Sequence, residues 1–135
     1  SFKALKGQLP WPADGRIIAK FGRQWNSKLK TTTENPGIDI KGQPGSPIRT
    51  VLGGVVTTIT YIRGYGTTII VDHGGGFYTV YSHVTNIQAV VDGQLRNGDI
   101  IAYMGDSGSI NGSKLHFEIW GKGQKLDPEK WLIKK

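Results

Sequence analysis

Residues 67–81 read Thr-Thr-Ile-Ile-Val-Asp-His-Gly-Gly-Gly-Phe-Tyr-Thr-Val-Tyr, with glycines between two runs of β-branched and aromatic residues. Residues of these types favour extended strands because their side chains pack well on a pleated surface. Glycine adopts the positive φ angles that a tight reversal of the chain needs. The stretch therefore predicts a β-hairpin.

Similar runs elsewhere predict further strands, and no long helical pattern interrupts them. The polar segment 25–34 predicts a surface loop, and Asp127-Pro128-Glu129 predicts the start of one short terminal helix. The fold class predicted is all-β: a compact antiparallel β-sheet or sandwich with a short C-terminal helix. The other predicted strands lie in residues 16–21, 48–62 (interrupted by two glycines), 100–104 and 115–120.

Length and composition limit the function classes. A chain of 135 residues predicts one domain, with residues 1–10 as a linker or arm remnant and residues 11–135 as the domain. Cysteine is absent, so neither disulfides nor thiolate metal sites are available. There is no run of about 18 apolar residues that could span a membrane. The net charge is +7, but the lysines are scattered and no nucleic-acid-binding motif occurs, so no nucleic-acid partner is predicted.

Three short motifs carry the polar residues of greatest interest. They are Asn35-Pro36-Gly37-Ile38-Asp39, Tyr81-Ser82-His83 and Lys114-Leu115-His116-Phe117-Glu118. In this order they resemble the motifs of the LytM/lysostaphin-type zinc peptidases of bacterial cell walls. That family reads His-x-Gly-x-Asp, then a His after a Tyr-rich strand, then His-x-His-Phe-Glu. The resemblance extends over nearly the whole chain and implies the LytM-peptidase fold.

The resemblance implies a role for each position. Asp39 and His116 match metal ligands, and His83 matches a catalytic residue beside the metal. Asn35 stands where the family has its first ligand, and Lys114 stands where it has a catalytic histidine. The vestigial ligand positions are thus Asn35, Asp39 and His116, and we predict a pseudoenzyme with no catalytic residues, no zinc and no other cofactor.

Simple chemistry supports the loss of the metal. An amide oxygen is a poorer zinc donor than an imidazole nitrogen. Residues two apart on a strand share a face, so Lys114 and His116 are expected to point into the same groove. An ammonium group there opposes a dication. Our hypothesis is that Lys114 instead forms an ion pair with Asp39.

Other short sequences resemble one branch of the family, the EnvC-type murein hydrolase activators. They are the opening Gly7-Gln8-Leu9-Pro10-Trp11-Pro12 with Gly15 and Phe21-Gly22, the tripeptide Gly64-Tyr65-Gly66, and the closing Asp-Pro-x-x-Trp-Leu at residues 127–132. The branch implies an exported, periplasmic, cell-envelope domain. Its implied partner is an N-acetylmuramoyl-L-alanine amidase, with peptidoglycan as a possible second one. The amidase is activated for cell separation when its inhibitory helix is captured in the former substrate groove.

The residues expected to contact such a partner surround the altered site. Aromatic and cationic side chains commonly anchor interfaces of this kind. Trp120 shares strand parity with Lys114 and His116, so it is expected to face the same side. The full predicted groove consists of Asn35, Asp39, Tyr65, Tyr81, His83, Lys114, His116 and Trp120.

Two other functions remain open at this point. The first is a zinc-dependent peptidoglycan endopeptidase with an altered site, using Asp39, His116 and a third ligand such as His83 or Glu34. The second is a partner-docking module like the sporulation-channel LytM domains, which would not affect any amidase. A plain peptidoglycan-binding domain is a weaker variant of the second.

Overall fold

The computed structural model describes all 135 residues, and antiparallel strands form nearly all of its regular structure. The strands are β1 (Arg16–Ala19), β2 (Gly22–Asn26), β3 (Thr31–Asn35), β4 (Ile38–Lys41), β5 (Pro47–Arg49), β6 (Gly54–Ile62), β7 (Gly66–Gly74), β8 (Phe77–Ser82), β9 (Val84–Thr85), β10 (Gln94–Leu95), β11 (Ile100–Met104), β12 (Leu115–Gly121) and β13 (Gln124–Leu126). The largest sheet has eight strands in the order β1-β4-β12-β8-β7-β6-β10, with β13 paired to β12. A three-stranded sheet (β5-β11-β9) and a two-stranded hairpin (β2-β3) complete the fold. The all-β prediction is confirmed.

The hairpin predicted around the three glycines is β7–β8. Gly74, Gly75 and Gly76 all have positive φ angles, of 83°, 65° and 85°. This left-handed backbone region is unfavourable for residues that carry a Cβ atom. The turn therefore depends on the glycines, and it aligns β8 between β7 and β12 in the middle of the main sheet.

Two local predictions need correction. The predicted loop 25–34 belongs to the β2–β3 hairpin, in which Trp25 pairs with Thr32. Because nearly all of its side chains are exposed, no apolar alternation revealed the strands. The predicted terminal helix is only a three-residue 3-10 turn, Pro128–Lys130, with Asp127 as its N-cap, and the chain contains no α-helix.

The end of the chain leaves this turn to pair with its beginning. The backbone N–H of Ile133 donates to the Leu9 carbonyl at 2.8 Å, and the Gly7 N–H donates to the Trp131 carbonyl at 3.0 Å. These bonds use backbone groups that a longer helix would need for itself. They explain why the helix stops after one turn.

Segment 1–10 lies against the domain. The Phe2 ring is buried, 5.0 Å from the Phe77 ring and 5.4 Å from the Trp131 ring between centroids. Leu9 is also buried and belongs to the same apolar core. The structure has no helix with the length and hydrophobicity that a membrane crossing requires.

Candidate functional site

Strand pairing brings the three sequence motifs together on one face of the main sheet. His116 on β12 lies opposite Asp39 on β4 and opposite Ser82 at the end of β8, next to His83. The strand alternates as expected: Leu115, Phe117 and Ile119 are fully buried in the core. The opposite, outward face carries Lys114, His116, Glu118 and Trp120, whose side chains are linked to one another through Asp39 and Glu118.

Asp39 accepts two charged hydrogen bonds. Lys114 Nζ lies 3.0 Å from Asp39 Oδ2, and His116 Nδ1 lies 2.6 Å from Asp39 Oδ1. The Lys114 and Asp39 side chains are only 13% and 14% exposed, so water screens this pair weakly. The hypothesis that Lys114 forms an ion pair with Asp39 is therefore confirmed.

Glu118 continues the chain of charges on the other side of the imidazole. Its Oε2 lies 2.7 Å from His116 Nε2, and its Oε1 accepts a 2.7 Å hydrogen bond from the indole N–H of Trp120. Lys125 Nζ lies 3.6 Å from the same Oε1. Glu118 belongs to the motif of residues 114–118 but was not among the predicted site residues, although its position two residues after His116 places it on the same face.

The partners of Asp39, Glu118 and His116 favour the charged form of each group. Burial alone would raise the pKa of Asp39, but hydrogen bonds and charges from His116 and Lys114 outweigh burial and lower that pKa. The same competition lowers the pKa of Glu118, with His116, Trp120 and Lys125 opposing burial. Burial would lower the pKa of His116, yet its two carboxylate partners raise it. In their charged forms, Lys114, Asp39, His116 and Glu118 make an alternating row of positive and negative groups.

His83 lies beside this row but stays outside it. Its backbone has a φ of 65°, and its N–H donates to the Tyr65 carbonyl at 2.8 Å. Its Nδ1 lies 2.7 Å from the carbonyl oxygen of Ser107, which can only accept, so Nδ1 carries a proton. Burial lowers the pKa of His83, which keeps the ring neutral with an unprotonated Nε2. This Nε2 makes no hydrogen bond within the domain, and no buried polar side-chain atom lacks a partner, so Nε2 reaches solvent.

Tyr65 covers the cluster from the turn between β6 and β7. Its ring centroid lies 4.8 Å from that of His116 and 6.4 Å from that of His83. Beside it opens a cleft of about 510 Å³, lined by Phe21, Gly22, Glu34, Asn35, Pro36, Tyr65 and Lys125. The side-chain oxygen of Asn35 accepts the Gly37 N–H at 3.1 Å, so this amide is engaged in its own turn.

Tyr81 does not line the groove, and the prediction that it contacts a partner is wrong. The residue is fully buried and lies opposite Phe117, on the core face of the sheet. Its hydroxyl accepts the Val51 N–H at 3.1 Å and lies 2.8 Å from Thr79 Oγ1. Tyr81 differs in parity from Ser82, the residue opposite His116, and this parity places it on the other face.

The side chains at the predicted ligand positions do not fit a zinc site. Both oxygens of Asp39 and both ring nitrogens of His116 are engaged within the cluster, and Lys114 places a positive charge on Asp39. Catalytic zinc takes three protein ligands and keeps one position open. No group of three His, Cys, Asp or Glu side chains is arranged to hold a metal ion.

The all-β fold, with histidine and carboxylate groups meeting on one face of its main sheet, defines a peptidase-like domain. The sequence profile of Peptidase family M23 matches residues 33–128, and the chain belongs to this family.

Several curated proteins are similar to this chain. One is the murein hydrolase activator EnvC of Escherichia coli, with 31% identity over 96% of this chain and 30% of that protein. Another is a lipoprotein NlpD/LppB homolog of Pseudomonas aeruginosa, with 37% identity over 93% of this chain and 40% of that protein. A third is the DD-carboxypeptidase/endopeptidase Mpg of Neisseria meningitidis, with 32% identity over 84% of this chain and 26% of that protein. The chain thus spans well under half the length of these relatives.

Solved structures confirm the fold. A zinc-containing peptidase from Vibrio cholerae superposes with a TM-score of 0.83 at 21% identity, over 96% of this chain and 41% of that one. A chain of the SpoIIQ–SpoIIIAH pore-forming complex superposes with a TM-score of 0.79 at 18% identity, over 96% of this chain and 92% of that one. At these identities the likeness concerns the fold alone.

Proposed function

We propose that this domain activates peptidoglycan amidases and does not cut peptidoglycan itself. In this proposal the zinc site of the family has been lost, and the groove holds the inhibitory element of an N-acetylmuramoyl-L-alanine amidase. The observation that carries the proposal is the Lys114–Asp39–His116–Glu118 cluster, which uses the ligand positions for internal charge pairs. When the groove binds the inhibitory element of an inhibited amidase, the equilibrium of that enzyme shifts towards its active state.

The groove offers the features that such a segment needs. Tyr65 and Trp120 supply partly exposed aromatic surface, and Lys114 and Lys125 supply positive charge for an acidic segment. The unprotonated Nε2 of His83 is free to accept a hydrogen bond. The proposed partner-binding residues are Asn35, Asp39, Tyr65, His83, Lys114, His116 and Trp120.

The relatives support both the activity and its location. Two of the similar proteins bear names of the EnvC and NlpD type, and EnvC is named a murein hydrolase activator. One is named a lipoprotein, which supports the proposed export to the cell envelope. Action in the periplasm during cell separation is part of the proposal. The partner is then a periplasmic amidase that acts on the same wall.

The test is dye release from labelled peptidoglycan sacculi by an N-acetylmuramoyl-L-alanine amidase, with and without this domain. We expect the domain to increase release by the amidase and to release nothing when incubated alone with zinc. A Tyr65→Ala variant is expected to lose the stimulation, whereas Tyr61→Ala serves as a control because Tyr61 is 67% exposed on β6 and outside the cleft. Unchanged amidase activity in the presence of the wild-type domain would refute the proposal.

A second candidate is a zinc endopeptidase, favoured by the similarity to Mpg, whose name describes a DD-carboxypeptidase and endopeptidase. It requires Asp39 and His116 to release Lys114 and Glu118 before they can bind a metal. The same assay separates the candidates, because release by the domain alone that a chelator abolishes belongs only to the enzyme. A docking module without effect on amidases would bind a partner and leave both release rates unchanged.

A further inference from the structure

A second recess lies further along the groove face, beyond Glu118. It has a volume of about 350 Å³ and sits where the β7–β8 and β12–β13 turns approach each other. Tyr78 and Trp120 are directly paired across β8 and β12, with ring centroids 6.3 Å apart and planes inclined by 54°. The lining residues are Gly76, Tyr78, Trp120, Gly123, Gln124 and Lys125.

The aromatic wall of this recess is held in place before any ligand arrives. The indole N–H of Trp120 donates to Glu118 at 2.7 Å, so its hydrogen-bonding capacity is satisfied and its ring face is what remains for a ligand. Glu118 is itself held by His116. A fixed side chain loses little freedom on binding, which favours affinity.

The polar groups around the wall are free. Neither the Tyr78 hydroxyl nor the Gln124 amide makes a hydrogen bond within the domain, and Gln124 is exposed. The Lys125 side chain is 53% exposed, and its ammonium lies 3.6 Å from Glu118 and 5.8 Å from the centre of the Trp120 ring. An ammonium has three donors, so Lys125 can bind an anionic group while it stays near Glu118.

We propose that this recess binds one pyranose ring that carries a carboxylate. An apolar wall with a few convergent polar groups is typical of small-ligand sites. The C–H face of a sugar fits against Trp120 and Tyr78, its hydroxyl and amide substituents meet Tyr78 and Gln124, and its carboxylate meets Lys125. A peptide fits less well, because the wall of the recess presents the ring faces of Tyr78 and Trp120 rather than backbone donors and acceptors.

The inference rests on the proposed function for the source of the sugar. Lys125 also lines the cleft beside Tyr65, so the two cavities adjoin. A glycan strand in the recess would hold the domain on the wall next to the amidase bound in the groove. Sugar binding and amidase stimulation are nevertheless separate measurements, and either can fail alone.

The test is a two-dimensional NMR titration of the chain with N-acetylmuramic acid, N-acetylglucosamine and lactate. We expect N-acetylmuramic acid to shift the Trp120 indole and Gln124 amide signals, with a dissociation constant on the order of 1 mM. N-acetylglucosamine lacks the carboxylate and is expected to shift the same signals with an affinity several-fold weaker. Lactate alone is expected to leave the Trp120 signal in place.

Variants separate the contributions. Trp120→Ala is expected to weaken N-acetylmuramic acid binding at least tenfold, whereas Trp120→Phe is expected to retain most of the binding. Trp25→Ala is the matched control, because Trp25 is 65% exposed on the β2–β3 hairpin. Lys125→Gln is expected to remove the preference for N-acetylmuramic acid over N-acetylglucosamine. Three outcomes would overturn the inference: neither sugar shifts the signals, lactate shifts them equally, or Trp120→Ala binds N-acetylmuramic acid as the wild type does. Tyr78 lines the recess but not the cleft beside Tyr65, so amidase stimulation by a Tyr78→Ala variant that has lost sugar binding would leave the proposed function standing.

Discussion

Lys114 and Asp39 are 75 residues apart in the sequence, and their charged groups meet at 3.0 Å on the groove face. Both side chains are nearly buried, and His116 binds the other oxygen of the same carboxylate. The pair therefore forms part of the fold and involves Asp39, which the resemblance matches to a metal ligand of the family.

The first prediction concerns the stability that this pair provides. Lys114→Met is expected to lower the free energy of unfolding by about 1.5–3 kcal/mol, the usual loss of a hydrogen bond to a charged group. His116 remains on Asp39, which prevents a larger loss. Urea unfolding followed by fluorescence measures the change. The control is Lys20→Met, which breaks the exposed pair with Glu129 and is expected to cost about 1 kcal/mol or less; equal losses in both variants would contradict the prediction.

The second prediction concerns pH. Asp39 and Glu118 have pKa values lowered from 3.8 and 4.5, so their contribution to stability is present above pH 4.5 and is lost as the pH falls through the lowered values. His116 has a pKa raised from 6.5, so its contribution is complete below pH 6.5 and is lost as the pH rises through the raised value. The cluster is expected to stabilise the domain most between pH 4.5 and 6.5.

The stability contributed by two other histidines depends on pH in the opposite direction. The contribution of His116 must therefore be isolated by a matched comparison. Burial lowers the pKa of both His73 and His83, so their contribution is present above pH 6.5 and is lost as the pH falls through their lowered values. The quantity to measure is therefore the difference in unfolding free energy between the wild type and His116→Gln, from pH 5 to pH 9. This difference is expected to shrink above pH 6.5, and a constant difference would refute the assignment of an imidazolium.

The third prediction concerns metal binding. Asn35→His combined with Lys114→His restores the family's residues and removes the ammonium from Asp39, so this double variant is expected to bind one zinc per chain in native mass spectrometry. Asn35→His alone is expected to bind zinc far more weakly, because Lys114 still holds Asp39. Stoichiometric, tightly bound zinc in the wild type would contradict the proposed loss of the site.

The fourth prediction separates structural from interface tyrosines. Tyr81→Phe leaves the buried Val51 N–H without an acceptor and is expected to destabilise the domain by about 1–3 kcal/mol. Because Tyr81 faces the core, amidase stimulation per folded molecule is expected to stay unchanged. If the fully folded Tyr81→Phe variant no longer stimulated the amidase, Tyr81 would belong to the interface and this prediction would be wrong.

Much of the fold was predictable because it depends on local signals. The glycine turn of β7–β8 and the strands β11 and β12 follow from residue types within a few positions. The β2–β3 hairpin escaped because its side chains face water on both sides and so lack a two-residue apolar period. Strand parity was enough to predict that His116 and Trp120 lie on one face of the sheet. The prediction that Tyr81 lies on that face failed, because the pairing of β8 with β12 decides its face.

The sequence by itself determined which chemical groups are available: an amide and an ammonium at two positions where the family has histidines, with Asp39, His83 and His116 retained. Only the tertiary structure decided what these groups bind. The register of β12 against β4 places His116 opposite Asp39, and the β12–β13 hairpin brings Lys125 to Glu118 and Trp120. Pairing between distant strands is selected by the packing of the whole core, so no local pattern contains it.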